Sequence, residues 1–403
     1  MRKNFFFAAL VIFAAPFLKS ADSVTLEVSA NEFERQDTPT YFTVPEAMGD
    51  GPFRLRDDEG SALAVQMDSA RRACFILPAL KPAQTKKFVL EKLPEKPAEG
   101  VSVTRKGGAI EFAIGGKVVL DYQSEKTPLP AGYSAAIQRG GYIFPVYTPS
   151  GKLIVDDYPP NHKHHHGIWA PWTKTEFEGR HPDFWNMGKP QPGATPGEVV
   201  PAGETTYSSG PVFASLKARH KFVDLNAQPP KAALDETWEL TVYSLSGADS
   251  KYRLFDLVST QTCASESKLA LPMYYYGGLG VRGNRQWDGK ANTFFLTSEG
   301  KDRGNGNETS GRWGHMGGKV DGELAGIAIL CHPGNFRFPQ PMRLHPSEPF
   351  FNFAPSQGGD WEIVPGKPYV ARYRFIVADG PPDAKLLERL WADYARPPAV
   401  SVK

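Results

Sequence analysis

Short runs that alternate apolar and polar residues recur along most of the chain. Residues 24–28 (VTLEV) near the start and residues 238–243 (WELTVY) in the middle are typical. Successive side chains of a strand point to opposite faces of a sheet, so each run predicts a strand with one buried face. A helical period is present in residues 382–394, where apolar side chains recur every three or four positions. The pattern therefore predicts a mostly β protein with one late helix.

The runs fall into two groups. Residues 22–95 predict a small N-terminal β domain, and residues 92–100 are rich in Pro, Glu and Lys, as linkers often are. Residues 96–400 hold the other strand runs and the helix. Many strands with one helix favour a large antiparallel β-sandwich over a parallel sheet with crossover helices. The mutarotase-like supersandwich is one candidate for this fold.

The first 21 residues are predicted to be a secretory signal peptide. A basic start at Arg2 and Lys3 precedes an apolar stretch at residues 5–17, and small residues follow at Ser20 and Ala21. A transmembrane anchor is the alternative, but the stretch is shorter than the roughly 20 residues that a spanning helix needs. We therefore expect a periplasmic or secreted protein.

The charge balance changes when the predicted signal is removed. The chain has 46 basic and 44 acidic residues. Cleavage after Ala21 would remove Arg2, Lys3 and Lys19 and no acid, which changes the formal charge from +2 to −1. A nearly neutral protein lacks the basic surface that binds nucleic acid or anionic membranes. We therefore expect neither partner.

A histidine-rich segment at residues 158–169 (YPPNHKHHHGIW) holds four of the nine histidines. In an extended backbone His162, His164 and His166 would share one side, and His165 would point the other way. Converging neutral imidazoles can hold a divalent metal ion or transfer protons near neutral pH. The alternatives are a solvated surface loop and histidines that are hydrogen-bonded inside the sandwich.

Neighbouring residues favour a site for a sugar. Trp169 and Trp185 offer aromatic faces, and Asp183 adds a carboxylate. An aromatic face beside polar groups suits a sugar ring, although core packing is the alternative for each tryptophan. Arg282 and the segment that contains His332, Asn335 and Arg337 provide further hydrogen-bonding groups.

Several familiar enzyme motifs are absent from the sequence. There is no Gly-x-Ser-x-Gly elbow and no His-Glu-x-x-His helix, so serine-hydrolase and zincin mechanisms lack their usual support. The glycine-rich residues 277–283 do not end in Gly-Lys-Ser or Gly-Lys-Thr, so they do not predict a phosphate-binding loop. We expect no nucleotide cofactor.

From about residue 141 to residue 351, the chain resembles a bacterial family of unknown function, DUF6807, often labelled the PmoA family. The resemblance rests on four short motifs in a fixed order: residues 162–169 (HKHHHGIW), 183–185 (DFW), 277–282 (GGLGVR) and 332–339 (HPGNFRFP). His166 stands where the family usually has arginine, and Arg343 and His345 stand where it has histidine and then arginine. A methane-oxygenase label, sometimes given to this family, would require spanning helices, which no run after the signal predicts.

The resemblance implies a place among sugar-processing systems of bacteria that degrade complex glycans. On this basis we expect a carbohydrate-active enzyme that hydrolyses or eliminates a glycosidic bond in a glycan or an oxidised sugar. His162, His164 and His165 would bind a metal ion or act as acid and base, and Asp183 would orient them. The residues expected to bind the substrate are Trp169, Trp185, Arg282, His332, Asn335 and Arg337. The alternative is a glycan-binding module without catalytic activity.

Overall fold

The computed structural model describes residues 23–245 and 250–403, so the signal peptide expected at residues 1–21 lies outside the described residues. The described residues form 28 strands and one α-helix. In chain order these elements are β1 (Ser23–Ser29), β2 (Arg35–Thr43), β3 (Phe53–Asp57), β4 (Ala62–Met67), β5 (Arg72–Leu80), β6 (Thr85–Lys92), β7 (Val101–Lys106), β8 (Ala109–Ile114), β9 (Lys117–Gln123), β10 (Tyr142–Val146), β11 (Ile168–Trp169), β12 (Pro182–Asp183), β13 (Thr195–Pro201), β14 (Thr206–Ser208), β15 (Phe213–Asp224), β16 (Lys231–Tyr243), β17 (Tyr252–Cys263), β18 (Leu269–Leu271), β19 (Gly280–Arg282), β20 (Thr293–Thr297), β21 (Ser310–Gly311), β22 (Trp313–Val320), β23 (Glu323–Cys331), β24 (Gln340–Leu344), β25 (Phe350–Phe353), β26 (Trp361–Ile363), β27 (Tyr369–Asp379), α1 (Ala384–Ala395) and β28 (Ala399–Val402).

The N-terminal strands form a seven-stranded antiparallel sheet in the order β2-β5-β4-β3-β6-β1-β28. Its apolar side chains, such as Leu26, Leu55 and Phe75, form a core of their own. The last strand of the chain pairs with β1, with Leu26 opposite Val402. The small sheet is therefore completed by a segment that lies outside residues 22–95.

Two larger sheets form the sandwich. One has nine strands in the order β21-β24-β25-β19-β11-β10-β9-β8-β7. The other has ten strands, with the main path β12-β13-β15-β16-β17-β27-β23-β22-β20 and β14 beside β15. Pairing within both sheets is antiparallel except between β12 and β13. Side chains from both sheets meet in one apolar core, which confirms the predicted mostly β fold with a large antiparallel sandwich.

The one helix confirms the helical pattern in residues 382–394. Asp383 caps α1, because its side chain accepts hydrogen bonds from the backbone N–H groups of Lys385 and Leu386. The helix joins the two units of the fold. Asp393 pairs with Arg35 of the small domain at 3.0 Å, and Trp391 Nε1 donates to the carbonyl of Cys331 in the sandwich. No helix in the described ranges is long and apolar enough to cross a membrane.

Three neighbouring strands of the nine-stranded sheet, β11, β19 and β25, separate the sandwich core from the candidate site. Val281 lies opposite Ile168 and Phe351 in the register, and all three side chains belong to the core. Side chains alternate between the faces of a sheet, so Arg282 and its register partner Phe350 lie on the outer face. The histidine-rich segment covers this outer face.

Candidate functional site

The histidine-rich segment is a compact turn and not an extended strand. The N–H of His162 donates to the carbonyl of Pro159, and the N–H of His165 donates to that of His162 at 2.8 Å. Tyr158 closes the turn with a positive φ of 49° and donates its N–H to the carbonyl of His165. The expected alternation of His162, His164 and His166 on one side is therefore wrong.

The turn brings together the three histidines that the family resemblance selects. The ring centres of His162 and His165 are 4.7 Å apart and nearly parallel. His164 lies edge-on to both, at 6.2 Å from His162 and 4.9 Å from His165. A fourth ring, that of His345, lies 5.7 Å from His162. We call these four side chains the imidazole cluster.

His166 is separated from the cluster by the turn. Its Nδ1 lies 2.7 Å from a carboxylate oxygen of Asp157, and its ring packs against Tyr142 and Tyr158. The other Asp157 oxygen accepts from the Tyr142 hydroxyl at 2.6 Å. This buried contact anchors the turn to β10.

Burial keeps the imidazole cluster uncharged at neutral pH. Loss of water contact lowers the pKa of His164 to about 3, and the same cause lowers that of His345 to about 3. The pKa of His162 is also lowered by burial and by the charge of Arg282, and that of His165 falls well below its usual value. The buried Nδ1 atoms of His162 and His165 make no hydrogen bond within the described residues. These nitrogens are available to a proton or a ligand.

His345 has a defined tautomer. Its Nδ1 accepts from the N–H of Glu348 at 3.0 Å and lies 3.3 Å from that of Ser347. The proton of the neutral ring is therefore on Nε2. The sequence analysis did not predict His345 as a site residue. The position of His345 in the family pattern, close to Arg343, could have indicated it.

Arg282 brings charge to the edge of the cluster from the end of β19. Its guanidinium is buried, pairs with Asp288 and lies 3.5 Å from a carboxylate oxygen of Glu348. Asn161 joins this group, because its Oδ1 accepts from Arg282 at 3.1 Å and its Nδ2 donates to Glu348 at 2.6 Å. Asp288, Glu348 and Asn161 were not predicted as site residues.

The two predicted sugar-binding tryptophans lie beneath the cluster, not beside it. Trp169 and Trp185 are 0% and 1% exposed, with ring centres 4.9 Å apart. The ring of His165 packs on Trp169 at 5.2 Å. Buried rings cannot stack on a sugar, so both tryptophans support the cluster from the sheet side. Among the nearby aromatic side chains, Tyr275 is 43% exposed.

Asp183 organises a loop, and its hydrogen bonds do not include a histidine. One oxygen accepts from the N–H groups of Trp185 and Asn186. The other accepts from the side chain of Asn186 and the N–H of Gln191. Burial raises the pKa of this carboxyl although these bonds oppose the shift. We infer from these hydrogen bonds that Asp183 positions Trp185.

The remaining predicted residues lie in other parts of the sandwich. Asn335 is buried and joins two segments, since it exchanges hydrogen bonds with the backbone of Arg372. Arg337 donates to the carbonyls of Pro355 and Gly359. The ring of His332 packs against Tyr394 at 5.1 Å. None of these contacts involves the imidazole cluster.

The described residues contain no group of three His, Cys, Asp or Glu side chains arranged to hold a metal ion. The unbonded nitrogens of His162 and His165 are nevertheless the type of atom that binds divalent zinc, nickel or copper.

Comparisons with known proteins give a family but no activity. The model of a family of unknown function (DUF6807) matches residues 109–392. No curated protein matches the chain. A solved structure, that of a TPR-domain containing protein from Parabacteroides distasonis ATCC 8503, is 11% identical with a TM-score of 0.19. The alignment covers 91% of this chain and 57% of that one, so the chain spans little more than half of that protein's length.

Proposed function

We propose that this chain, which belongs to the family of unknown function DUF6807, is an exported carbohydrate-active enzyme that hydrolyses or eliminates a glycosidic bond. The observation that carries the proposal is the imidazole cluster, in which four neutral rings lie beside a buried arginine and two carboxylates. Strongly shifted pKa values in a compact polar cluster are typical of catalytic sites.

The cluster has the groups that acid–base catalysis requires. A neutral imidazole carries one donor and one acceptor nitrogen, so His345 can donate a hydrogen bond to a sugar oxygen through Nε2, and a ring that has taken up a proton can pass it to the leaving oxygen. His162 and His165 each have a free Nδ1. Hydrolysis and elimination both need one group that gives a proton to the leaving oxygen and another that removes a proton from water or from the sugar. The rings of the cluster are close enough to serve one sugar residue.

Arg282 supports a substrate that carries oxygen-rich or anionic groups. Its side chain is fixed by Asp288, Glu348 and Asn161, so its charge stays in place when a sugar binds. A uronic acid would be suited to elimination, because its carboxylate makes the neighbouring C–H acidic. These contacts support the proposal that Arg282 binds the substrate.

A divalent metal ion remains part of the proposal as a cofactor of His162, His164 and His165. When bound, such an ion would polarise a sugar oxygen or activate a water molecule. Metal content of the purified protein tests this part, and one equivalent of a transition metal that is lost in a His162→Ala variant would support it. Metal content below one tenth of an equivalent would leave acid–base catalysis by the rings alone.

Activity is tested by incubating the protein with neutral polysaccharides, uronic-acid polymers and small oxidised glycosides, followed by detection of reducing ends and of unsaturated sugars. We expect His164→Ala to reduce turnover at least a hundredfold while the circular dichroism spectrum stays unchanged. His181→Ala is the matched control, because His181 is exposed and lies outside the cluster. Full activity of His164→Ala would refute the assignment, and saturable sugar binding without any product would favour a glycan-binding module.

A further inference from the structure

A cavity of about 720 Å³ runs between the small domain and the sandwich. Tyr41 and Arg72 line it from the small domain, and strands β14 to β17 and β27 line it from the sandwich. Within the described residues, no member of the imidazole cluster lines this cavity. We call it the interdomain cleft.

Arg374 lines the interdomain cleft in a fixed position. It is 4% exposed, and its Nε and Nη2 bind the two oxygens of Asp256 at 2.7 and 2.8 Å. The ring of Tyr394 packs under the guanidinium at 4.6 Å. The third nitrogen, Nη1, is buried and makes no hydrogen bond in the part of the chain that the structure describes. Arg374 therefore offers a rigid donor without a protein partner.

Two further arginines face the cleft without an acidic partner among residues 23–245 and 250–403. Arg72 comes from the small domain, where its guanidinium lies 3.9 Å from the centre of the Tyr41 ring. Arg372 comes from β27, next to Arg374 on the same sheet. Both side chains keep an uncompensated charge, so they can bind an anionic group.

The acidic side chains that line the cleft already have partners. These contacts are Asp256 with Arg374, Asp393 with Arg35 and Arg389, Glu239 with Lys217, and Asp68 with the backbone N–H groups of Ala70 and Arg72. Basic side chains offset the charges of the first three carboxylates, whereas Asp68 accepts hydrogen bonds only from backbone N–H groups of its own turn. The four basic and four acidic side chains of the lining sum to zero formal charge, and Arg72 and Arg372 are the local positive groups that remain without an acidic partner among the described residues.

The rest of the lining has the character of a sugar-binding surface. Thr206 and Ser208 on β14, Ser215 on β15 and Thr241 on β16 lie on the face of the sheet that carries Arg372 and Arg374, as the strand register shows. Hydroxyl groups beside cationic side chains suit a sugar with carboxylate groups, and the cavity is as large as clefts that hold small ligands.

We propose that the interdomain cleft binds a saccharide that carries carboxylate groups. Arg72 and Arg372 would bind the carboxylates from the two sides, the Nη1 of Arg374 would donate to a ligand oxygen, and the hydroxyl groups of Ser208 and Thr241 would bond to the sugar. His332, which the sequence placed in the substrate site, lines this cleft instead. Binding in the interdomain cleft requires no catalysis, so it is independent of the role proposed for the imidazole cluster.

The test is calorimetric titration of the full chain with a trimer of galacturonic acid and with maltotriose, a neutral trimer. We expect saturable binding of the uronic-acid trimer and at least tenfold weaker binding of maltotriose. The affinity for the uronic-acid trimer should fall as salt is added, because charge supplies part of the attraction. His164→Ala is titrated as well, because a uronic acid can also bind at Arg282 beside the imidazole cluster. Binding that persists in this variant supports the cleft, and its loss there would assign the binding to the cluster and overturn the proposal.

The double variant Arg72→Gln, Arg372→Gln should weaken binding of the uronic-acid trimer at least tenfold. Lys117→Gln, Lys319→Gln is the matched control, because it removes the same charge from exposed positions outside the cleft. If the double variant fails to fold, Arg372→Gln alone is used, because it keeps the packing of Arg72 on Tyr41. This single variant should weaken binding of the uronic-acid trimer at least threefold. Absence of saturable binding, or equal affinity in the arginine and lysine variants, would overturn the proposal.

Discussion

At the scale of single residues, Gly280 permits the packing beneath the imidazole cluster. A Cβ at this position would lie 2.8 Å from Cη2 of Trp185 and 3.3 Å from Cε2 of Phe350. Because Trp185 is held between other rings, Gly280→Ala is expected to cost about 1–3 kcal/mol of unfolding free energy, as overpacked cores do. Urea denaturation measures this. Gly304→Ala, in an exposed loop, should change stability by less than about 0.5 kcal/mol, and an equal loss in both variants would contradict the argument.

His315 makes the stability of the protein depend on pH. It is buried on β22, and loss of water contact lowers its pKa from 6.5 to about 3. Between these values the unfolded chain binds a proton that the folded chain does not, so stability falls as the pH falls below 6.5. Each such group adds up to about 1.4 kcal/mol per pH unit.

The His315→Gln variant should therefore have a shallower decline of unfolding free energy between pH 6.5 and pH 4. Urea denaturation of both proteins at several pH values gives the two slopes. The difference between the two slopes should approach the value for one bound proton below pH 6.5, and it should vanish above pH 7.5. Identical slopes below pH 6.5 would show that His315 does not titrate as described.

Single residues also show where prediction from the sequence stops. The segment itself was identified from its composition, and the family motif selected His162, His164 and His165 correctly as neighbours. The spacing alone placed His166 with His162 and His164, and His165 on the other side, because it assumed an extended backbone. The positive φ of Tyr158 and the turn that follows are local conformations that an alternating pattern does not encode.

At the scale of elements, the loop after β12 depends on Asp183. This carboxylate accepts four hydrogen bonds that hold residues 185–191 on the sheet. Asp183→Ala would leave buried N–H groups without partners, so we expect a loss of about 3 kcal/mol, within the range for such groups. Thermal or urea denaturation measures the loss. Asp235→Ala, which removes only a surface pair with Lys221, should cost less than about 1 kcal/mol.

The same variant separates two roles of Asp183. A positioning role predicts that stability and turnover fall together, and that hydrogen exchange increases in residues 184–191. A direct catalytic role predicts lost turnover with stability and exchange unchanged. The second result would contradict the geometry, in which the four hydrogen bonds of the Asp183 carboxylate lie within its own loop.

At the scale of the whole molecule, the fold class followed from the sequence but the connection between its units did not. Alternation within each strand predicted the sandwich, and the helical period of residues 382–394 predicted the helix, and both patterns are local properties of the sequence. The pairing of Leu26 with Val402 joins the two ends of the described chain. No local pattern marks such a pair, since either strand would alternate in the same way beside another neighbour.

The contact between helix α1 and the small domain is the strongest candidate for coupling the two units. Arg35 and Asp393 form a 3.0 Å ion pair with both side chains almost fully buried, at 0% and 1% exposure. Arg35 also donates to the carbonyls of Ala30 and Arg396. Removing the acid leaves a buried charge with carbonyl partners alone, which costs about 3–5 kcal/mol in comparable cases.

Asp393→Ala is therefore expected to loosen the small domain more than the sandwich. Hydrogen exchange measured by mass spectrometry should increase in β1, β2 and β28 while β16 and β17 stay protected, because the sandwich core does not include this pair. Glu362→Ala breaks an exposed pair with Lys268 in the sandwich and should cost about 1 kcal/mol or less. If both variants lost protection evenly over the two units, the small domain and the sandwich would be one cooperative body, and the helix would not be the element that couples them.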